Sequence, residues 1–175
     1  REPGKLADRD WGPHESVQGD VLDPDSLVPA VESIDIAYYL VHGMGSEGNF
    51  EERDARSARN FATVAAKAGV KRIIYLGGLG RADDRLSPHL KSRQHVGEIL
   101  KETGVPVTEC RASIIIGSGS ASFEIIRDLV RKLPVMITPK WVRSRCEPIS
   151  IDNVLSYLIN ILETPETIGE TLEIG

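Results

Sequence analysis

The chain has 175 residues, 41% of them hydrophobic, and a formal net charge of -5. That length fits one ordinary domain with a sizeable core, and the acidic balance argues against nucleic acid or an anionic membrane as partner, leaving small molecules as the expected ligands. Cys110 and Cys146, the two cysteines, make no CxxC or Cys/His spacing, so neither a disulfide framework nor a metal site is expected. Apolar runs are only a few residues long, against roughly 18 to 20 for a membrane span, and a cytoplasmic setting is expected.

In chain order, a lead containing "DRDWGPHE" is followed by "SVQGDVLD", which reads as a short strand, and by "DPDSLVPAVES", where Asp23 to Ser26 can cap a helix. The β-rich run "IDIAYYLVHGMG" predicts the next strand. A helix is predicted from Phe50 to Ala68, because Ala58, Phe61, Ala62 and Ala65 recur at three and four, with Gly69 as its stop. The cycle repeats with strand "RIIYL", loop "GRADDRLSP", helix "HLKSRQHVGEILKET" with Leu90, Val96, Ile99 and Leu100 inward, a stop at Gly104, and strand "VTECRASIII". Helices near "SFEIIRDLVRKL" and from about Ile151 to Leu162, and a last strand "ETLEIG", complete the series. Alternating helices and apolar strands predict an α/β fold of one domain, a doubly wound parallel sheet of Rossmann-like type.

Two glycine loops follow strands. "GMGSEG", Gly43 to Gly48, matches the GxGxxG spacing literally. Yet the helix starts only around Phe50 and no acidic residue ends a strand about 20 residues on, so the match reads as a loop coincidence. "YLGGLG" does not match. Strand ends of a doubly wound sheet face the ligand crevice, so Gly77 and Gly78 either let a ligand lie against bare backbone or mark a strand-to-loop turn with positive φ.

The blocks "GDVLDPDSL", "DIAYYLVHGMG", "ERDARSARNFATVAAKAGVKRIIYLGGLG", "HLKSRQHVGEILKETGVPVTECRASIIIG" and "EPISIDNVLSYLINILETPETIGETLEIG" together resemble an NmrA-like, atypical short-chain dehydrogenase/reductase, a relative of the nucleoside-diphosphate-sugar epimerases. The resemblance implies NAD(P) as cofactor, with Asp20 and Val21 by the adenine and Leu40, Val41 and His42 beside the riboses. Arg1 stands where relatives meet the 2′-phosphate of NADP, and such pairing is bidentate, which leans the expectation to NADP; a solvated terminal residue is the other reading. Gly77 and Gly78 take the place of a hydroxyl that catalytic relatives keep, as the floor of the substrate side. Relatives begin with a strand and glycine-rich turn for the pyrophosphate, so the resemblance implies an N-terminally incomplete domain over residues 1–175, with exposed sheet edges and self-association expected.

Catalytic relatives also carry Tyr-x-x-x-Lys on the next helix, where the lysine lowers the tyrosine pKa. Here those places fall at His89 and Arg93, or at Leu90 and Gln94. His89 either shuttles a proton with Arg93 on the same helix face or faces solvent in the first turn. Arg111 and Ser113 are expected on the substrate side, or Arg111 is structural. Arg127, Arg131, Lys132, Lys140, Arg143 and Arg145 either hold an anionic substrate or form a solvated surface. Tyr38, Tyr39 and Trp141 read as packing residues, Cys110 as buried and inert, and the carboxylates of "FEERDAR" as a solvated helix start. The functions in view are an NAD(P)-dependent oxidoreductase or epimerase-like enzyme, a non-catalytic redox sensor or assembly factor, and a scaffold that binds nothing.

Overall fold

A computed structural model describes residues 12–43, 50–80, 86–117, 121–132 and 147–175. The expected strand over Ser16 to Asp23 is not formed. Residues 14–19 carry no regular structure, and the Asp23 amide donates to the Asp20 carbonyl at 2.8 Å to close a turn. A strand needs a neighbouring ladder for its amides, and among the described residues none lies alongside. Asp23 and Ser26 do not cap a helix through their side chains. Pro24–Leu27 is a 3-10 turn without a side-chain cap bond, running into α1, Val28–Val31, and the Ser26 hydroxyl accepts from the Asp20 amide at 2.8 Å and donates to the Asp23 carbonyl at 2.7 Å.

Strand β1, Ile36–Tyr39, stops short of the predicted run. Helix α2 is Phe50–Ala68, the predicted span, with Ala58, Ala62 and Ala65 fully buried and Gly69 ending it at φ +80°. Strand β2 is Arg72–Gly78. Helix α3, Pro88–Lys101, opens on Ser87, whose Oγ accepts the Leu90 amide at 3.3 Å; Gly104 follows at φ +81°. The predicted strand over 107–116 divides into β3, Val107–Ala112, and β4, Ile115–Ile116. Its neighbour β2 ends at Gly78, opposite Ala112, so Ile115 and Ile116 find their ladder on β5, Ile149–Ser150. Helix α4 is Ala121–Lys132. Helix α5, Ile151–Asn160, is capped by Ser150, whose Oγ accepts the Asn153 amide at 3.1 Å. Two 3-10 turns, Ile161–Glu163 and Pro165–Thr167, lead to β6, Thr171–Ile174.

The main sheet has four parallel strands in the order β1-β2-β3-β6. Alternate residues of β2 feed two cores, as the two-residue period of a strand requires. Ile73 and Tyr75 join Tyr39, the alanine stripe of α2, and Val96, Ile99 and Leu100 of α3. Ile74 joins Cys110, Ile174, and Val154 and Leu158 of α5 on the opposite face. Helices therefore cover both faces, the doubly wound architecture expected. Tyr39 is buried, with its ring 4.9 Å from that of Phe61. Tyr38 is not a core residue: it is 37% exposed, and its hydroxyl donates to the Leu158 carbonyl at 2.6 Å. Cys110 is fully buried, and burial pushes its thiol up to about 11. No helix among the described residues is long and apolar enough to cross a membrane.

Candidate functional site

The carboxyl ends of β1, β2 and β3 form the end of the sheet where a doubly wound fold opens its crevice. Leu40, Val41 and His42 leave β1 there with exposed side chains. Helix α2 fixes the loops on this side with two polar side chains. Asp54 Oδ1 accepts the Gly43 amide at 2.8 Å, and Asn60 Nδ2 donates to the Val21 carbonyl at 3.0 Å. Asp20 lies beside Val21, exposed, and its Oδ1 accepts the Leu22 amide at 2.9 Å.

Gly77 and Gly78 close β2 without positive φ, so the turn reading of these glycines is corrected. What they admit is close packing. A Cβ on Gly78 would lie 2.6 Å from Leu90 Cδ2 and 3.2 Å from Arg93 Cδ, and one on Gly77 would lie 3.1 Å from the Tyr75 ring and 3.3 Å from Glu109 Oε1. Bare backbone here lets α3 approach the sheet. Gly43, the first glycine of the literal GxGxxG, has a similar reason, since a Cβ would sit 2.8 Å from Asp54 Oδ1.

His42 leaves β1 at this end, and His89 and Arg93 of α3 lie near enough to act on its charge. The pKa of His42 lies below its ordinary value: partial burial is the main cause, and the positive charge of Arg93 and the nearness of His89 add to it. A hydrogen bond to the backbone of Leu40 and the Asp54 carboxylate act in the opposite direction. His89 is exposed, with its ring edge-on to Phe50 at 5.0 Å between centroids. Arg93 is half-buried. Its backbone carbonyl accepts the Tyr75 hydroxyl at 2.9 Å. Burial pushes the phenol of Tyr75 up, with the Glu109 and Asp54 carboxylates adding to it against Arg93 and Arg111, so Tyr75 is a packing residue.

Arg111 and Ser113 belong to the β3 end. Arg111 Nε donates to Glu109 Oε1 at 2.8 Å and Nη2 to Oε2 at 3.3 Å, while Lys101 Nζ reaches Oε2 at 3.1 Å. Glu109 is 1% exposed, and its hydrogen bond holds the Arg111 guanidinium above its ordinary range. Ser113, the first residue past β3, is half-buried. On α4, Arg127 and Lys132 both pair with Asp128, at 3.1 and 3.4 Å, and Arg131 is exposed. Arg1, Trp141, Lys140, Arg143, Arg145 and all of "GMGSEG" after Gly43 lie outside the described residues.

Asp54, Asn60 and Glu109 were not foreseen as site-building residues. Asp54 had a signal: it precedes Ala58 by one helical turn and so shares the inward stripe, which corrects its reading as part of a solvated helix start. Glu109 had half a signal, since Arg111 stands two residues on and shares its strand face, whereas Lys101 meets it only when α3 packs on β3.

Comparison with known proteins fits this geometry. The chain has a fold similar to a nucleoside-diphosphate-sugar epimerase from Staphylococcus aureus, with TM-score 0.72 and 17% identity over 90% of this chain and 53% of that one. A short-chain dehydrogenase/reductase superfamily protein from Agrobacterium tumefaciens, solved with bound NAD, gives TM-score 0.71 and 15% identity over 93% of this chain and 66% of that one. UDP-N-acetylglucosamine 4-epimerase from Bacillus cereus gives TM-score 0.66 and 14% identity over 88% of this chain and 63% of that one. At these identities the likeness is one of fold, and the chain spans between 53% and 66% of the length of these structures. No curated protein matches the chain. The model of a family described as NAD(P)H-binding matches residues 1–113, more than half of the sequence. With its parallel sheet, its covering helices and this match, the chain belongs to the NAD(P)H-binding family.

Proposed function

We propose that this chain is the NAD(P)(H)-binding domain of an atypical, NmrA-like short-chain dehydrogenase/reductase, oxidoreductase-like or epimerase-like in its chemistry. The observation that carries the reading is the match of residues 1–113 to an NAD(P)H-binding family on a parallel sheet whose strand end leaves Leu40, Val41 and His42 exposed. The residues there suit a dinucleotide. Asp20 is an exposed carboxylate with one oxygen held by a backbone amide, placed to accept from an adenine amine with Val21 beside it. Leu40, Val41 and His42 supply an exposed edge on which riboses can lie. When bound, the nicotinamide supplies hydride transfer.

The chain's own residues handle the proton. His42, with its pKa lowered, is neutral at pH 7 and available as an acceptor, its ring fixed by the Leu40 backbone. His89 stands on the solvent side of Arg93 on the same helix face and exchanges that proton with water. The positive charge of Arg93 adds to the burial that biases the His42 imidazole toward the neutral form. Arg111 and Ser113 border the substrate side, and NADP is the form this reading favours, on the ground of the sequence resemblance at Arg1 alone.

A non-catalytic redox sensor or assembly factor is the second reading. It is favoured by Gly78, where Leu90 and Arg93 fill the space that a hydroxyl-bearing side chain would need. Calorimetric titration with NADPH and NADH separates the cases. Saturable binding with turnover of a carbonyl or nucleotide-sugar substrate supports the first reading, binding without turnover of any such substrate the second, and no binding of either nucleotide removes both.

A further inference from the structure

Asn60 stands in the middle of α2, where asparagine is a poor helix former, and its amide is directed at a loop outside the helix. Its Nδ2 donates to the Val21 carbonyl at 3.0 Å. The other end of that same peptide unit is the Leu22 amide, which donates to Asp20 Oδ1 at 2.9 Å. A peptide unit is planar, so a donor that fixes where its carbonyl points also fixes where its N–H points. Asn60 therefore reaches the Asp20 carboxylate through one rigid plate. The frame around that plate is also held: the Asp20 amide donates to Ser26 Oγ at 2.8 Å, and the Asp23 amide donates to the Asp20 carbonyl at 2.8 Å. Val21 packs against the core that contains Ala58 and Ala62. Asp20 itself is exposed, and its Oδ2 has no partner among the described residues. One carboxylate oxygen is fastened, and the other is presented outward in a set direction.

We propose that Asn60 is a positioning residue for recognition of the base: through the Val21–Leu22 peptide it aims the Asp20 carboxylate at the exocyclic amine of adenine. This rests on the reading of the crevice as the NAD(P)(H) site and adds to it the residue that makes the site select adenine. A carboxylate on an exposed turn is otherwise free to rotate, and ordering it on binding costs affinity that a pre-oriented one keeps. A base without the amine gains nothing from the alignment. The role needs a donor at position 60. Aspartate has the same shape as asparagine, yet it would set an acceptor oxygen against the Val21 carbonyl and push the peptide away.

The test is calorimetric titration of the chain with NADH and with reduced nicotinamide hypoxanthine dinucleotide, whose base carries a carbonyl oxygen in place of the amine. The unaltered chain is expected to prefer NADH by about tenfold, the effect of one hydrogen bond to a charged acceptor. Asn60→Ala and Asn60→Asp should each lower that preference to about threefold or less, and Asp20→Ala should abolish it. Adding Asn60→Ala to Asp20→Ala should change the preference no further, because one residue acts through the other. A merely structural role would weaken both nucleotides by the same factor, so an unchanged preference in Asn60→Ala overturns the proposal. A preference that survives Asp20→Ala and is then lowered by Asn60→Ala overturns it as well. Asn60→Ser, whose hydroxyl is too short to reach the loop, carries the same comparison should the alanine variant not fold. No binding of either nucleotide to the unaltered chain removes the cofactor reading and the proposal with it. Binding without preference removes the adenine role of Asp20 and the proposal, and a preference that Asn60→Ala leaves intact removes the proposal alone, so the failures are told apart.

Discussion

Asp54 Oδ1 lies 2.8 Å from the amide of Gly43, and a methyl group on that glycine would stand at the same 2.8 Å from the same oxygen. The loop that carries His42 is therefore held by a contact that only glycine permits. Gly43→Ala is expected to displace the carboxylate and lower thermal stability by about 1 kcal/mol, with the His42 resonance broadened or moved in the NMR spectrum. An unmoved His42 resonance would show that the contact does not set the loop.

Asp54→Asn keeps an acceptor for the Gly43 amide and removes the charge. Because Asp54 raises the pKa of His42 against the lowering by burial, Arg93 and His89, His42 should titrate at still lower pH in this variant. The sign for stability follows. Between the depressed folded pKa and the ordinary value of 6.5, the unfolded chain binds more protons, so stability rises with pH through that window. The contribution is present above 6.5 and is lost as pH falls through the folded value. Asp54→Asn should extend the window downward, which urea midpoints measured from pH 5 to 7.5 will register.

Gly97 sits inside α3, where alanine is favoured by about 1 kcal/mol on helix propensity alone. Its Cβ, however, would lie 3.0 Å from the carboxylate of Glu109, which is 1% exposed and held by Lys101 and Arg111. Gly97→Ala is expected to lose about 1 to 2 kcal/mol net. Glu109→Gln, which leaves two cations facing a neutral amide, should lose about 2 to 3 kcal/mol, below the range for a fully buried pair because Lys101 and Arg111 remain partly exposed. Differential scanning calorimetry reads both, and a stabilised Gly97→Ala would mean that the carboxylate yields readily.

Gly78→Ser would place a hydroxyl where catalytic relatives keep one. With Leu90 Cδ2 at 2.6 Å from the new Cβ, the expected outcome is a loss of about 1 to 2 kcal/mol and no gain in turnover. A rise in activity would reverse the view that packing, and not substrate, fills this position.

Cys110 is fully buried, with its thiol pushed up to about 11. In a Cys146→Ser background it should resist iodoacetamide at pH 8 until the chain is unfolded, as thiolate chemistry requires. Labelling under native conditions within minutes would indicate local opening of β3.

Much of this architecture is legible in the sequence where local periodicity and tertiary packing agree. The alanine stripe at Ala58, Ala62 and Ala65 and the stop at Gly69 define α2 end to end, since an inward stripe and an αL glycine are both encoded within a few residues. The failures arise where the neighbour decides. "SVQGDVLD" has strand composition but no described ladder to join, and "RASIII" changes partner because β2 has ended. Around the proposed site, the place of His42 just past β1 and of His89 and Arg93 on one face of α3 follows from strand end and helical period. The reason for Gly77 and Gly78 does not, because it lies in Leu90, Arg93, Tyr75 and Glu109, which reach them through folding.

Arg72 is 2% exposed, and its guanidinium is bound by the Thr108 hydroxyl at 2.7 and 3.0 Å, the Ile161 carbonyl at 2.8 Å and the Thr167 hydroxyl at 2.6 Å. Every one of these acceptors is uncharged. The seam that fastens residues 161–174 to the middle of the sheet therefore has no acidic partner to protonate, and its burial shields it from salt. Neither mild acid nor concentrated electrolyte removes any of these hydrogen bonds, so the tail of the domain should stay fastened in both. The attachment of the tail to the sheet is thus indifferent to the protonation of any carboxylate.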